Sequence, residues 1–262
     1  MEEETTLSLE TIPGGEPFFY KRGEVGCLLI HGFTGTPSSM QPMGEYLADN
    51  NITTLGVRLK GHGTSIEDLH KCNYKDWIAS AEQGLWDLKK YCQHIFVGGL
   101  SMGGALSLHL AHLYPVEIKG VATICAPVLI TDKKMLLTPF LKHLIKTIPS
   151  IGGNLKDPEA EEITYDKTSV PAVHELIKLL KMVKSELPSI KQSALIFASR
   201  EDAVVSPRNA PYILNHLGSE NKNLIWLDNS YHVATLDYDK ELIFQKTLEF
   251  IESNYKEIAS RV

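Results

Sequence analysis

The chain has 262 residues, of which 43% are apolar and 22% are charged, a composition typical of globular proteins with a substantial core. Its formal net charge of −6 argues against a nucleic-acid-binding surface, which would be basic. The acidic start, Glu2-Glu3-Glu4, argues against a secretory signal, and no apolar run approaches the roughly 20 residues of a membrane span.

The cysteines indicate a compartment. They form no CxxC pair, and two of them lie inside apolar runs typical of buried strands, where a free cysteine behaves as a small hydrophobe. Together with the missing signal, they predict a cytoplasmic protein without structural disulfides. The cysteines are Cys27, Cys72, Cys92 and Cys125.

In the first half of the chain, apolar segments alternate with amphipathic ones. The run VGCLLI at 25–30 is apolar throughout, as expected of a strand buried on both faces of a parallel sheet. Further strands are predicted at 17–21, where the strand lies at a sheet edge, and at 52–59, 94–98 and 118–125. Helices are predicted at 38–49, at 74–88 behind the cap residue Asn73, and at 105–114.

The pattern changes between Pro127 and Pro188. This stretch has helix-like segments at 133–148 and 171–186 and contains no convincing strand. The alternation then resumes with strands at 194–199 and 223–228 and helices at 207–217 and 238–257. Such alternation predicts an α/β fold with a mostly parallel central sheet flanked by helices. We therefore expect one core domain, 1–126 and 191–262, with 127–190 inserted as a helical cap.

The stretch around Ser101 predicts a nucleophile. Gly99-Leu100-Ser101-Met102-Gly103 has the form G-x-S-x-G, and it lies between a predicted strand and a predicted helix. This context is the one required of a nucleophile elbow, a sharp turn that exposes a serine hydroxyl. Glycines two residues before and after the serine allow the chain segments to pass closely.

A serine hydroxyl needs a base to become nucleophilic, and the base needs an acid to orient it. Catalytic groups of parallel sheets collect in the loops after the strands. Asp202 follows the strand at 194–199, and His232 follows the strand at 223–228. The chain order Ser101, Asp202, His232 is the order of the α/β-hydrolases.

Other residues compete for these roles. The acid could instead be Glu201, Asp228 or Asp132, but loop position favours Asp202. His31 and His62 precede Ser101 in the chain, which is the wrong order for the base. A further pair of histidines, His109 and His112, is spaced three apart on a helix; without a third ligand nearby, an exposed helix face is favoured over a metal site.

Acyl transfer also needs hydrogen-bond donors for the oxyanion. We expect one from the backbone N–H of Met102, which follows the nucleophile, and one from the turn His31-Gly32-Phe33, with Phe33 as the best candidate. The side chains of Phe33 and Met102 would then wall the acyl pocket.

Four segments resemble the bacterial monoacylglycerol lipase and carboxylesterase family: HGFTGTP at 31–37, RLKGHGT at 58–64, GLSMGG at 99–104 and NSYHVATLDYD at 229–239. The resemblance implies the α/β-hydrolase fold, with a small helical cap inserted after the sixth strand. It implies the same catalytic residues as above, and main-chain binding of the substrate carbonyl oxygen by Phe33 and Met102. It also implies that the cap residue Ile151 meets the glycerol or leaving group of the substrate.

The combined reading predicts a serine hydrolase that cleaves carboxylic esters, most simply monoacylglycerols, without a metal or organic cofactor. The expected partners are small lipids or esters, with contact to lipid aggregates through apolar cap residues and no nucleic acid. The apolar cap side chains at 136–151 could cover an acyl chain, but burial against the core is favoured for most of them.

Three alternatives stay open. The first is a general carboxylesterase, and the second a thioesterase or an aromatic-acid esterase. The third is a non-catalytic ligand-binding module on the same fold, because a fold does not determine function. A dehalogenase is disfavoured, because it would need aspartate in place of Ser101. Acyl preference and oligomeric state are not indicated by the sequence.

Overall fold

One sheet of seven strands organises the described part of the chain, which comprises residues 11–130, 138–142, 144–150 and 152–260 of a computed structural model. In chain order its strands are β1 (Phe18–Tyr20), β2 (Val25–Ile30), β3 (Thr53–Val57), β4 (His94–Leu100), β5 (Ile118–Ile124), β8 (Ser193–Ser199) and β9 (Lys222–Leu227). Their spatial order is β1-β3-β2-β4-β5-β8-β9. All neighbours are parallel except β1, which runs antiparallel to β3 at one edge.

Helices cover both faces of this sheet. They are α1 (Gln41–Asp49), α2 (Ile66–Lys71), α3 (Tyr74–Lys89), α4 (Met102–Leu113), α5 (Thr138–Leu141), α6 (Val170–Glu186), α7 (Asn209–His216) and α8 (Lys240–Ala259). Among the described residues, no helix combines the length and the apolar character that crossing a membrane requires.

The central strands are buried on both faces, which explains their unbroken apolar sequence. All six residues of β2 are buried. Leu28 and Ile30 belong to the core cluster on one face, and Cys27 and Leu29 to the cluster on the other, as the two-residue period of a strand requires. The predicted α/β fold with a mostly parallel sheet is thereby confirmed.

The start of α3 follows from the cap residue and the first turn of the helix, residues 73–76. The Asn73 side chain accepts a hydrogen bond from the N–H of Lys75 (3.0 Å), and the Asp76 carboxylate accepts one from the N–H of Asn73 (2.9 Å). This capping box satisfies backbone donors that the helix leaves unpaired. The predicted cap at Asn73 is confirmed.

The segment between β5 and β8 differs from the prediction. It holds a small antiparallel sheet of β6 (Thr147–Pro149) and β7 (Lys167–Ser169), where no strand was expected. The predicted helix at 133–148 is therefore wrong at its end, and the short helix α2 was missed. Strands of three residues are too short to show an alternating pattern, and in this chain they form by pairing with each other.

This segment leaves the sheet after β5 and returns to it at β8, which lies directly beside β5. It follows the fifth strand of the chain, not the sixth that the resemblance implied, because a single strand, β1, precedes β2 in the described residues. The strand order agrees with one core interrupted by a cap, and the boundaries at 126 and 191 stay a prediction.

One of the two histidines of α4 is placed differently from the prediction. His109 is buried, not exposed, because α6 packs on α4; its Nδ1 lies 2.8 Å from an oxygen of Glu186. His112 Nδ1 lies 2.6 Å from the hydroxyl of Ser189. Each ring thus contacts the segment that packs on α4.

Candidate active site

The turn between β4 and α4 presents Ser101. Its backbone has φ 54° and ψ −120°, a conformation that side-chain-bearing residues rarely adopt. Its N–H donates to the carbonyl of Ile124 (2.8 Å), which continues the pairing of β4 with β5 up to the serine. Such strain persists only where the surrounding structure holds it, and it is common at functional sites. The turn has the strand–turn–helix form of a nucleophile elbow.

Glycines make this turn possible by removing side chains from two close approaches. A Cβ on Gly99 would overlap the backbone of Gly103. A Cβ on Gly103 would overlap the carbonyl oxygen of Ile30 at the end of β2. The helix α4 can therefore begin directly against the central strands, as expected from the G-x-S-x-G spacing.

Asp202 and His232 form a buried pair. The carboxylate oxygen Oδ2 of Asp202 lies 2.7 Å from Nδ1 of His232, and the two side chains are 2% and 8% exposed. The other oxygen of Asp202 accepts hydrogen bonds from the N–H groups of Val204 and Val205, each at 2.8 Å. The carboxylate is thus held by backbone donors while it fixes the orientation of the imidazole.

The competing acids lie elsewhere. Asp228 is 67% exposed and pairs with Arg200 (2.7 Å). Glu201 is half exposed and pairs with Lys156 (2.7 Å). Asp132 lies outside the described residues. Of the described candidates, the structure brings Asp202 to the histidine.

Ser101 and His232 line the same cavity, which has a volume of about 400 Å³. This volume falls within the range of small-molecule sites. Its wall is mostly apolar, and much of it comes from α6 and the loop after β5. The apolar lining includes Leu129, Ile130, Val173, Leu176 and Leu180.

The turn after β2 forms one side of this cavity through Phe33. His31 supports the turn: its Nδ1 lies 2.8 Å from the carbonyl of Gly32, and its Nε2 accepts the N–H of Leu59 at 3.1 Å. These contacts require one neutral tautomer. Burial lowers the pKa of His31 to about 4, so the ring stays neutral at physiological pH. His62 packs edge-on against both the His31 and Phe33 rings.

Met102 is placed only partly as expected. It is the first residue of α4, so its N–H is among the donors that a helix leaves without an internal partner. Its side chain, however, is fully buried in the core cluster that contains Leu106, and it is not part of the cavity wall. The prediction that the Met102 side chain walls the pocket is therefore wrong, because this side chain packs into the core.

Cys125 lies beside the Asp202–His232 pair, where sequence patterns gave no indication of a role. Its backbone φ is 49°, and its Sγ lies within 4.8 Å of ligand atoms of both residues. Burial and the neighbouring Asp202 charge raise the pKa of this thiol well above its usual value. The thiol thus lies against a carboxylate that already bonds the His232 imidazole.

Glu162 is a polar cavity residue that the sequence analysis missed. One of its carboxylate oxygens accepts the N–H of Gly153 (2.7 Å), and the side chain lines the cavity. Burial raises the pKa of Glu162, against the opposing effects of the Gly153 N–H and the His232 charge. No local pattern marks this residue, because it reaches the cavity only through the folding of the segment between β5 and β8.

The predicted specificity residue Ile151 lies outside the described residues, as do Leu136 and Leu137. For most of the other apolar residues at 136–151, the predicted burial against the core is wrong. Phe140 is 75% exposed and Leu144 is 82% exposed, and Ile145 and Ile148 are also exposed. Leu141 is partly buried. Ile148, in β6, lines the cavity, whereas Phe140, Leu144 and Ile145 do not.

Residues 24–239 match the model of a protein family described as serine aminopeptidase, S33. The chain belongs to this family. The match spans the elbow, both loops that carry the buried pair, and the segment between β5 and β8. Membership makes the protein a serine hydrolase with the α/β-hydrolase fold.

Two curated relatives of this S33 family chain match it over nearly their whole length. The thermostable monoacylglycerol lipase of Bacillus sp. (strain H-257) is 46% identical over 91% of this chain and 95% of the relative. The carboxylesterase of Bacillus subtilis (strain 168) is 30% identical over 90% of this chain and 96% of the relative.

Solved structures agree with this S33 family fold. A structure described with LipS and LipT, two metagenome-derived lipolytic enzymes, superposes with a TM-score of 0.91 at 38% identity, over 93% of this chain and all of the other. The monoacylglycerol lipase of Paleococcus ferrophilus superposes with a TM-score of 0.79 at 15% identity, over 91% of this chain and 98% of the other, and this likeness concerns the fold alone.

Proposed function

We propose that this protein is an esterase that hydrolyses monoacylglycerols to glycerol and a fatty acid. The observation that carries the proposal is the composition of one cavity: an elbow serine, a paired histidine, apolar side chains and the carboxylate of Glu162 line it together. The relatives named monoacylglycerol lipase and carboxylesterase support the same class of reaction.

In the proposed mechanism, Ser101 attacks the ester carbonyl while His232 takes its proton. Asp202 holds the imidazole through Nδ1, which leaves Nε2 free to act, and it stabilises the imidazolium that forms. His232 then gives the proton to the departing glycerol oxygen. Water, activated by the same base, hydrolyses the acyl-enzyme and restores the serine.

The oxyanion of each tetrahedral intermediate is assigned to two backbone donors. The N–H of Met102 points from the start of α4, where the partial positive charge of the helix dipole adds to the hydrogen bond. The second donor is the N–H of Phe33, in the turn that His31 supports. Donors fixed before the reaction stabilise developing charge without reorganisation.

The polarity of the cavity supports a substrate with one apolar and one hydroxylated end. Apolar residues of α6, such as Leu176 and Leu180, suit an acyl chain. Glu162 and Gly152 lie on the segment that covers the cavity, and they suit the hydroxyl groups of glycerol. Because burial raises its pKa, the Glu162 carboxyl can donate as well as accept a hydrogen bond when it carries a proton.

We expect Glu162→Leu to lower kcat/KM for 1-monolauroylglycerol by about 10- to 100-fold, the usual cost of losing hydrogen bonds to a buried polar group. Methyl laurate, which lacks the glycerol hydroxyls, should be hydrolysed almost as before. Glu162→Gln serves as the matched control, because its amide retains an acceptor for Gly153. Equal losses on both esters in the leucine variant would contradict glycerol recognition by this residue.

The runner-up is a carboxylesterase of simple esters, which the Bacillus subtilis relative favours. A hydrolysis profile over 1-monolauroylglycerol, p-nitrophenyl butyrate, lauroyl-CoA and trilaurin decides between the candidates. We expect preference for the monoacylglycerol and weak turnover of trilaurin, whose alcohol part is too large for a covered cavity. Strong trilaurin turnover would refute the proposal, and a fluorophosphonate that gave no adduct on Ser101 would favour a binding module.

We also propose that the segment 127–190 is a cap that touches lipid aggregates. Its outer surface carries Phe140 and Leu144, and Lys142 and Lys146 lie close to them in the chain. An apolar patch with basic neighbours suits an anionic lipid surface. The protein should sediment with phosphatidylglycerol vesicles, and the double variant Phe140→Ser, Leu144→Ser should stay in solution. Undiminished sedimentation of that variant would contradict the proposal.

A cytoplasmic location completes the proposal. All four cysteines are free and buried, which suits a reducing compartment. Fractionation of cells that express the protein tests this location directly.

A further inference from the structure

One short segment connects the residues that cover the cavity to the loop that carries His232. We call residues 152–157 the strap and residues 228–239 the histidine loop. Asp237, which is 1% exposed, joins them. Its Oδ2 accepts the N–H groups of Lys156 (2.8 Å) and Tyr231 (2.8 Å), and its Oδ1 accepts those of Asp157 (3.0 Å) and Tyr238 (2.9 Å).

The strap makes further contacts that reach the catalytic groups. The side-chain oxygen of Asn154 accepts the backbone N–H of His232 itself (3.1 Å), and the carbonyl of Asn154 accepts the N–H of Val233 (3.1 Å). The Nζ of Lys156 lies 2.7 Å from Oε1 of Glu201, which directly precedes Asp202 in the chain. The strap is therefore attached to the loops of both the base and the acid.

Asp239, in the same histidine loop, makes a useful comparison. It is also buried, but within the part of the chain that the structure describes its carboxylate accepts only from Asn229, through the backbone N–H (2.8 Å) and the side-chain amide (3.2 Å). Asp239 thus stabilises the histidine loop internally, whereas Asp237 divides its four acceptor contacts equally between the loop and the strap.

We propose that Asp237 is a positioning residue that locks the strap and the histidine loop into one unit and so fixes the distance between His232 and Ser101. This inference rests on the proposed function, because it assigns His232 as the base. Asp237 is not among the residues that line the cavity, and it acts through the backbone on both sides of His232. The role accounts for the final residues of NSYHVATLDYD, which the catalytic assignment leaves unexplained.

The lock also connects substrate binding to the base. The strap contains Gly153, whose N–H holds the carboxylate of Glu162 in the cavity. A group that binds at Glu162 therefore contacts a side chain held by the strap. The strap also accepts the N–H of His232. Loosening the strap should disturb the base even for substrates too small to reach Glu162.

The test is Asp237→Asn, which keeps the shape but replaces one acceptor oxygen by an amide that donates. We expect kcat for p-nitrophenyl butyrate to fall by about 10- to 100-fold per active site, as expected for an ångström-scale misplacement of a catalytic group, with KM little changed. Active sites are counted by fluorophosphonate labelling, so unfolded protein does not contribute.

Two further variants separate this lock from general loop stability. Asp239→Asn should lower thermal stability with a smaller loss of kcat per active site; an equal loss would overturn the role of the strap. Asn154→Ala, on the partly exposed strap, should lower kcat in the same way but less. Its effect should not add to that of Asp237→Asn, because both variants weaken the contacts between the strap and the histidine loop. If Asp237→Asn does not fold, Asn154→Ala decides, and unchanged kcat in that variant overturns the inference.

The rate of Ser101 labelling by the fluorophosphonate separates this inference from the proposed function. Labelling needs the nucleophile and its base but no ester substrate. Slower labelling of Asp237→Asn, in a protein that hydrolyses none of the esters, would support the lock and refute the esterase. Normal ester turnover and normal labelling in that variant would refute the lock and leave the esterase standing.

Discussion

Replacing Ser101 by alanine is expected to lower kcat/KM for 1-monolauroylglycerol by about 10⁵- to 10⁶-fold, to a rate supported only by binding and the oxyanion donors. The physical reason is the loss of the atom that forms the acyl-enzyme, for which no other side chain at the elbow can substitute. Steady-state hydrolysis at substrate concentrations around KM measures the loss, and intact mass after fluorophosphonate treatment should show no adduct.

Ser101→Gly provides the matched control for this variant. Glycine adopts a φ of 54° without strain, whereas alanine does not. Both variants should be inactive, and the glycine variant should unfold at the higher temperature of the two. Activity in either variant close to that of the wild type would show that Ser101 is not the nucleophile.

Asp202→Asn is the second large effect, with an expected loss in kcat of about 10⁴-fold at neutral pH. The asparagine fills the same space, and its side chain still meets the N–H groups of Val204 and Val205. An amide nitrogen facing Nδ1 would favour the wrong tautomer of His232, with the proton on Nε2, where the base must accept one. The pH dependence of kcat and the rate of fluorophosphonate labelling measure the effect.

The competing acids serve as controls for this experiment. Asp228→Asn removes an exposed ion pair with Arg200, and exposed pairs contribute little to structure or chemistry. Its kcat should stay within about twofold of the wild type, because the lost ion pair is exposed and remote from the histidine. A loss in Asp228→Asn comparable to that in Asp202→Asn would mean that the acid had been assigned to the wrong loop.

The features predicted well from the sequence are those that local chemistry determines. The unbroken apolar run of β2 predicts a strand buried on both faces, and Asn73 with Asp76 predicts the start of α3. The elbow is equally local, because its glycines and its serine lie within five residues. Asp202 and His232 are far apart in the chain, yet parallel strands end at one edge, so their loops could be expected to meet.

The features that were missed depend on contacts between distant segments. Glu162 reaches the cavity, and Asp237 meets the strap, only after the chain has returned from β5 to β8, and neither contact leaves a periodic signal. His109 was expected at a surface because its own helix does not reveal that α6 covers it. The exposed apolar residues near Phe140 depart from the usual burial of apolar side chains, and no sequence pattern marks this departure.

The close approach of Gly103 to Ile30 has a consequence for how the site can vary. The two proposed oxyanion donors belong to different segments, one at the start of α4 and one in the turn after β2. Gly103 is where these segments touch, and a Cβ there would overlap the Ile30 carbonyl oxygen. The separation of the two donors therefore depends on residue 103 having no Cβ. Loops around the cavity can diverge to suit new esters, whereas adding a single carbon at this position would push the two donors apart.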